Sequence, residues 1–155
     1  MKRIISVLMF VILFSSLGFT QEYNTGIGLR GGVFSGVSFK QFINTADAFE
    51  ISGAFHYRGL FIVGQYQRHV GAFDVPGLNW YYGGGAHIGF YDGIYHPHWQ
   101  AAGTHTQIGA NGVVGIEYKI DEIPITVGLD LIPAIDIIQV TRPWLGGGIT
   151  VRYVF

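Results

Sequence analysis

The chain has 155 residues, about one domain's worth, of which 49% are hydrophobic and only 12% charged, against about 25% charged in an ordinary soluble domain. A formal net charge of −1 offers nucleic acid or an acidic partner no counter-charge, and the lack of cysteine excludes disulfides, zinc–thiolate centres, thiol catalysis and a lipidated N-terminal Cys. Glycine (24 residues) and aromatics (15%) are abundant instead, and so few charges cannot cover a soluble globule.

The first residues set the compartment. "MKRIISVLMFVILFSSLGFTQ" has a basic start at Lys2 and Arg3, an apolar run from Ile4 to Phe14 broken only by Ser6, and then small residues. That is the layout of a secretory signal peptide, with cleavage after Gly18 or Thr20. A retained anchor is the competing reading, because the run from Ile4 to Phe19 is close to the shortest length that spans a membrane as a helix. Ser15, Ser16 and Gly18 weaken the end of that helix, and no basic residue follows to stop transfer. The expected division is a cleaved signal over residues 1–20 and one domain over residues 21–155.

Beyond the leader no stretch keeps a helical period. The richest apolar run, "IPITVGLDLIPAIDII", is interrupted by Gly128, Asp130, Pro133 and Asp136. What recurs is period-two alternation broken by Gly, Pro, Asn and Asp clusters, the mark of strands and turns. Residues 25–32 set Ile27 and Leu29 against Gly28 and Arg30. "VSFKQF" sets Val37 and Phe39 against Ser38 and Lys40, and "FEISGAFH" sets Phe49, Ile51 and Phe55 against Glu50, Ser52 and His56. "LFIVGQYQ" alternates less cleanly, since Phe61 falls among Val63, Gln65 and Gln67.

The second half alternates more clearly. "LNWYYGGGAHIGFY" puts Leu78, Trp80, Tyr82, Ala86, Ile88 and Phe90 on one face, and Asn79, Tyr81, Gly83, Gly85, His87 and Gly89 on the other. "QIGANGVVGIEYK" opposes Ile108, Ala110, Val114, Ile116 and Tyr118 to Gln107, Asn111, Glu117 and Lys119. "ITVGLDL" opposes Ile125, Val127, Leu129 and Leu131 to Thr126, Gly128 and Asp130. Residues 144–155 close the chain with an eighth strand that ends on an aromatic residue, Phe155.

Eight strands with one apolar face form either a soluble barrel with an apolar inside or a membrane barrel with an apolar outside. The non-apolar face here is mostly Gly, Ser, Thr, Asn and Gln, with about one charge per strand. Such a face suits a narrow lumen, and the aliphatic and aromatic face suits lipid. In lipid every backbone group must pair internally, so the sheet must close on itself. Trp80 and Phe90 are ten residues apart, about 33 Å at roughly 3.3 Å per residue. Tilted by roughly 40°, that strand rises about 25 Å, the height of the lipid-facing band of such barrels. The expected fold is therefore all-β, a transmembrane antiparallel up-and-down barrel of eight strands. Trp80, Tyr82, Phe90, Tyr118, Tyr153 and Phe155 would form its aromatic girdles.

With its leader, its alternating segments and its terminal "ITVRYVF", the whole mature chain resembles the small outer-membrane β-barrel proteins of Gram-negative bacteria, the eight-stranded OmpA/OmpX-like class. More narrowly, "FSGVSFKQFI", "DVPGLNWYYGGGAHIGF" and "GIEYKIDEIPITVGLD" resemble an uncharacterised outer-membrane barrel family that carries no known activity. The resemblance implies residence in the bacterial outer membrane, lipid and the outer-membrane assembly machinery as partners, a monomer, and no cofactor. It also implies that Tyr153 and Phe155 act as the assembly signal. Placing Phe155 in the periplasm makes residues 91–106 and 135–143 extracellular and "DEIP" a periplasmic turn. "GAFDVPG" (residues 71–77) is long for that side, which leaves room for an error of one strand pair.

Several stretches invite a chemical reading. "GIGLRG" matches the dinucleotide fingerprint, with Glu50 nearly twenty residues on, but that motif needs a strand before it and a helix after it. Glycines in a barrel strand more often mark bends or room for bulky neighbours. "YHPHW" places His96 and His98 where two imidazoles could share a metal, with Asp92 as an oxygen ligand. The plainer reading is a loop whose aromatics rest at headgroup level. A rim acyltransfer site would need a His beside a hydroxyl or carboxylate; His98 and His105 with Asp92 or Thr106 are the candidates. No Ser-centred elbow exists, so the expectation is no enzyme.

The inward face carries the stronger signal. Arg30, Lys40, Lys119 and Arg152 share it with Glu50, Glu117 and Asp130, so charges nearly cancel. An eight-stranded barrel is only wide enough for side chains to fill. These groups are expected to pair with each other and with Tyr81, Asn111 and Gln107, since buried charges persist when paired. The expected function is structural or surface-interactive, through the extracellular loops. A rim lipid-modifying enzyme, a narrow channel and a soluble lipocalin-like binder are the alternatives.

Overall fold

The computed structural model describes residues 23–56, 59–92, 104–138 and 141–155; the leader lies outside them. The described chain is β1 (Thr25–Gly32), β2 (Ser35–Phe42), β3 (Asp47–His56), β4 (Gly59–Gly71), β5 (Leu78–Asp92), β6 (Thr104–Ile120), β7 (Ile125–Ile138) and β8 (Arg142–Val154). Each strand pairs antiparallel with the next, and β8 pairs with β1, so the sheet is a closed barrel without edges. At the closing seam Gly26 faces Val154 and Gly32 faces Gly148. The last residue extends the seam: Phe155 donates its N–H to the Thr25 carbonyl at 2.9 Å and accepts from the Thr25 N–H at 2.9 Å.

The register sets the dimensions. From Gly26 the paired residues run through Lys40, Glu50, Gln65, Gly85, Asn111 and Ala134 to Trp144. Gly26 itself meets Val154 on that same last strand, a stagger of ten residues. Ten steps of about 3.3 Å over eight spacings of about 4.8 Å tilt the strands by about 40°. The lumen is accordingly narrow.

The faces divide as the alternation predicts. Leu29 is 69% exposed and Arg152 is 0% exposed. Ile51, Phe55, Leu129, Leu145, Ile149 and Tyr153 are exposed like Leu29, whereas Lys40, Glu50, Gln67 and Thr150 are buried like Arg152. Phe61, the residue that breaks the alternation of β4, is buried beside Val63 and Tyr91. The inside is therefore partly apolar as well as polar.

Two boundaries differ from the sequence reading. Residues 72–77 hold no extra strand pair. They form a folded turn in which the Ala72 N–H bonds the Leu78 carbonyl at 2.9 Å and the Leu78 N–H bonds the Val75 carbonyl at 3.1 Å. Phe73, Asp74 and Gly77 take positive φ (54°, 53° and 77°), which lets six residues fold back compactly. β7 runs on to Ile138, well into the stretch expected to be an extracellular loop. Pro133 suggested a break there, yet it sits within the strand opposite Leu145.

Candidate functional site

The end of the lumen nearest the termini holds a charged cluster. β8 presents Arg152, whose Nη2 donates to Glu50 Oε1 on β3 at 2.6 Å and whose Nη1 donates to Glu117 Oε2 on β6 at 2.7 Å. Its Nε donates to Ser38 Oγ on β2 at 2.9 Å. Lys40 Nζ lies 3.1 Å from Glu117 Oε2 and 3.6 Å from Glu50 Oε2, and stands 4.5 Å over the Tyr81 ring. Ser38 and Gln67 donate to the two oxygens of Glu50 at 2.8 and 2.9 Å. One level farther in, Arg30 makes a bidentate pair with Asp130, and the Tyr81 hydroxyl donates to Asp130 Oδ2 at 2.9 Å.

Glycines make room for this cluster. A Cβ at Gly148 would lie 2.7 Å from the Gly31 carbonyl while touching the Arg30 guanidinium at 3.4 Å, and one at Gly115 would lie 2.4 Å from the Tyr81 ring. The six ionised groups Arg30, Lys40, Arg152, Glu50, Glu117 and Asp130 form three positive and three negative charges in mutual contact. That balance offsets the desolvation of each. Tyr23, ahead of β1, closes the cluster at the end of the lumen. Its hydroxyl donates to Glu117 Oε1 and its ring meets Phe42 edge-on at 5.2 Å. Burial, with Glu117 beside it, pushes the Tyr23 phenol well above its ordinary range.

The other half of the lumen is aromatic. Phe34 stacks on Phe61 at 4.5 Å, and Trp144 packs on both rings at 5.2 and 5.8 Å. Among these rings His87 Nε2 lies 2.8 Å from Asp136 Oδ1, and Trp144 Nε1 donates to the same oxygen at 3.0 Å. Tyr81, Val113 and Ile132 form a second apolar group between this layer and the charges.

Six of the seven charged residues read from the sequence thus come together. Lys119 shares their parity but sits half-buried near the end of β6, where its N–H bonds the Gly77 carbonyl at 2.8 Å. Tyr81 joins the charges as expected. Asn111 does not: neither atom of its amide has a partner among the described residues. Tyr23, Gln67, His87, Asp136 and Trp144 were missed as partners. Asp136 was legible in principle, since Asp130, Ile132, Ala134 and Asp136 continue one period-two series through Pro133. Tyr23 was not, because it precedes any alternating segment.

Trp80, Tyr82, Phe90, Tyr118, Tyr153 and Phe155 all lie exposed on the outer surface. Phe73 of the long turn meets Trp80 edge-on at 5.8 Å, and Tyr153 lies 6.1 Å from Phe155. His96 and His98 lie outside the described residues. Thr106 pairs with Phe90 on the outward face, away from the lumen. "GIGLRG" lies within β1 and leads into β2, so the helix that a dinucleotide site requires does not follow it. Among the described residues no group of three or more His, Asp or Glu is placed to hold a metal.

No family model matches the sequence, and no curated protein matches it. One solved structure that resembles it is the N-terminal β-barrel domain of Pseudomonas aeruginosa OprF. The TM-score is 0.66 at 17% identity, over 84% of this chain and 95% of that one. At that identity the likeness is one of fold, and the shared fold is the small closed barrel that the alternating segments led us to expect.

Proposed function

We propose that this chain is an integral outer-membrane β-barrel protein, exported by its leader and inserted by the outer-membrane assembly machinery, with a sealed polar lumen. Its role is structural or surface-interactive, carried by the loops at the end away from the termini. The observation that carries this reading is the inverted distribution of side chains: large aliphatic and aromatic groups cover the outside of a closed barrel, while Arg30, Lys40, Glu50, Glu117, Asp130 and Arg152 are buried inside it. Water gains nothing from such an outer surface, and lipid does. The OprF-like fold supports the same location.

The lumen argues against a channel. Three cations and three carboxylates neutralise each other over two adjacent levels, and Phe34, Phe61 and Trp144 pack across another. Fractionation of cells expressing the full chain tests the placement. The folded protein is expected with the outer membrane, released by detergent and not by salt or alkali. Recovery in the soluble periplasmic fraction would favour a lipocalin-like binder instead.

A further inference from the structure

Among the described residues of β1–β4, Asp47 and Arg68 are the charged residues on the outward face, and they stand opposite each other in register. The Arg68 side chain is 54% exposed and that of Asp47 11%. Their contact is long: Arg68 Nη1 donates to Asp47 Oδ1 at 3.4 Å, while Asn44 Nδ2 holds the other carboxylate oxygen at 2.8 Å. The remaining N–H donors of Arg68 have no bond among the described residues. Asp47 opens β3 at the end of the barrel near the termini, and Arg68 pairs on its other side with Tyr82 of the aromatic girdle. That is headgroup depth, where a cation on the lipid face costs least.

Above Arg68 the outer wall carries small residues. The stagger makes rows of paired residues climb from β1 to β8, so a line through Arg68 along the barrel axis crosses β5 and then β6. Gly84, Gly112, Ala86 and Ala110 lie about 8–16 Å up that line and within about 5 Å of it. Ala86 and Ala110 are exposed, and Gly84 and Gly112 half-buried. Exposed Tyr66 and Tyr82 flank the line at its foot.

We infer that Arg68, Asp47 and this shallow trough bind one glycerophospholipid with a zwitterionic, amine-bearing headgroup. The phosphate takes the outward donors of Arg68, whose fork matches phosphate oxygens in pairs. The neighbouring Asp47 carboxylate repels a purely anionic headgroup and attracts an ammonium. One acyl chain follows the barrel axis over Gly84, Gly112, Ala86 and Ala110, where no larger side chain holds it off the wall. The inference rests on the outer-membrane placement proposed above.

Barrel recovered from the outer-membrane fraction is purified in detergent and mixed with phosphatidylethanolamine or with phosphatidylglycerol of the same chains. Native mass spectrometry then counts the adducts. Starting from that fraction keeps a failure here separate from a failure of the placement. The wild type should hold one phosphatidylethanolamine, several-fold above phosphatidylglycerol. Arg68→Gln removes the phosphate ligand, and Ala86→Phe fills the trough without touching either charge. Each should keep the heat-modifiable folded form and cut the adduct by about tenfold. Wild-type adduct levels in either variant, equal retention of the two lipids, or dimers in place of adducts overturn the site.

Discussion

Arg152 and Glu50 meet at 2.6 Å although 102 residues separate them, and the same guanidinium holds Glu117 at 2.7 Å. Strands β3, β6 and β8 are thereby tied through one side chain across the lumen. Truncating that side chain strands two buried carboxylates, and breaking a buried ion pair on one side costs about 3–5 kcal/mol. Arg152→Met should destabilise the barrel by that order in urea unfolding from lipid vesicles. Adding Glu50→Gln should recover part of the loss, whereas strict additivity of the two changes would show that the pair is not coupled.

Purified protein in a planar bilayer is expected to show no steady, sizeable pore. The lumen charges cancel, the aromatic layer crosses above them, and Tyr23 lies beneath. A reproducible open channel from the wild type would contradict the sealed lumen.

Tyr23 makes stability depend on alkali in a defined direction. The folded barrel holds the phenolic proton more tightly than the unfolded chain does, because burial and Glu117 raise its pKa. Its contribution is complete below the ordinary value of 10.0 and is lost as pH rises above it. Tyr23→Phe removes a hydrogen bond to a charged group, worth about 1.5–3 kcal/mol. The gap between wild type and variant should narrow above pH about 10 in parallel unfolding titrations. A constant gap would mean that the hydroxyl does not titrate with folding.

The closing seam distinguishes two glycines on β1. A Cβ at Gly28 would lie 1.9 Å from the Val151 carbonyl of β8, while one at Gly31 would meet nothing within 4 Å. Gly28→Ala should cost about 1–3 kcal/mol or more through forced backbone movement. Gly31→Ala should stay within about 0.5 kcal/mol of wild type. Heat-modifiable mobility on gels reads both, and equal behaviour would argue against this register.

Phe155 is predicted to matter for assembly more than for final stability. Phe155→Ser keeps the backbone bonds to Asn24 and Thr25 and loses about 1–3 kcal/mol of apolar burial. Deleting the residue removes those bonds as well. Both variants should lower the folded barrel recovered from cells, and Phe155→Ser should still refold in detergent. Wild-type cellular levels would make the terminal aromatic incidental.

The alternation in residues 25–32, 78–92 and 107–119 settled which side chains share a face, because a strand's period is local and needs no partner. Scarcity of charge over the whole chain then decided that the apolar face points outward, a matter of composition alone. Height along the barrel was different. Parity says that Arg152 and Glu50 both face inward, but only the ten-residue stagger of a closed sheet puts them at one level. The same register carries Asp136 to His87 and sets Asn111 opposite Gly85. Tyr23 joins the cluster from outside every strand. Those contacts depend on how far each strand slides past its neighbour, and that slide is fixed jointly by all eight strands when the barrel closes.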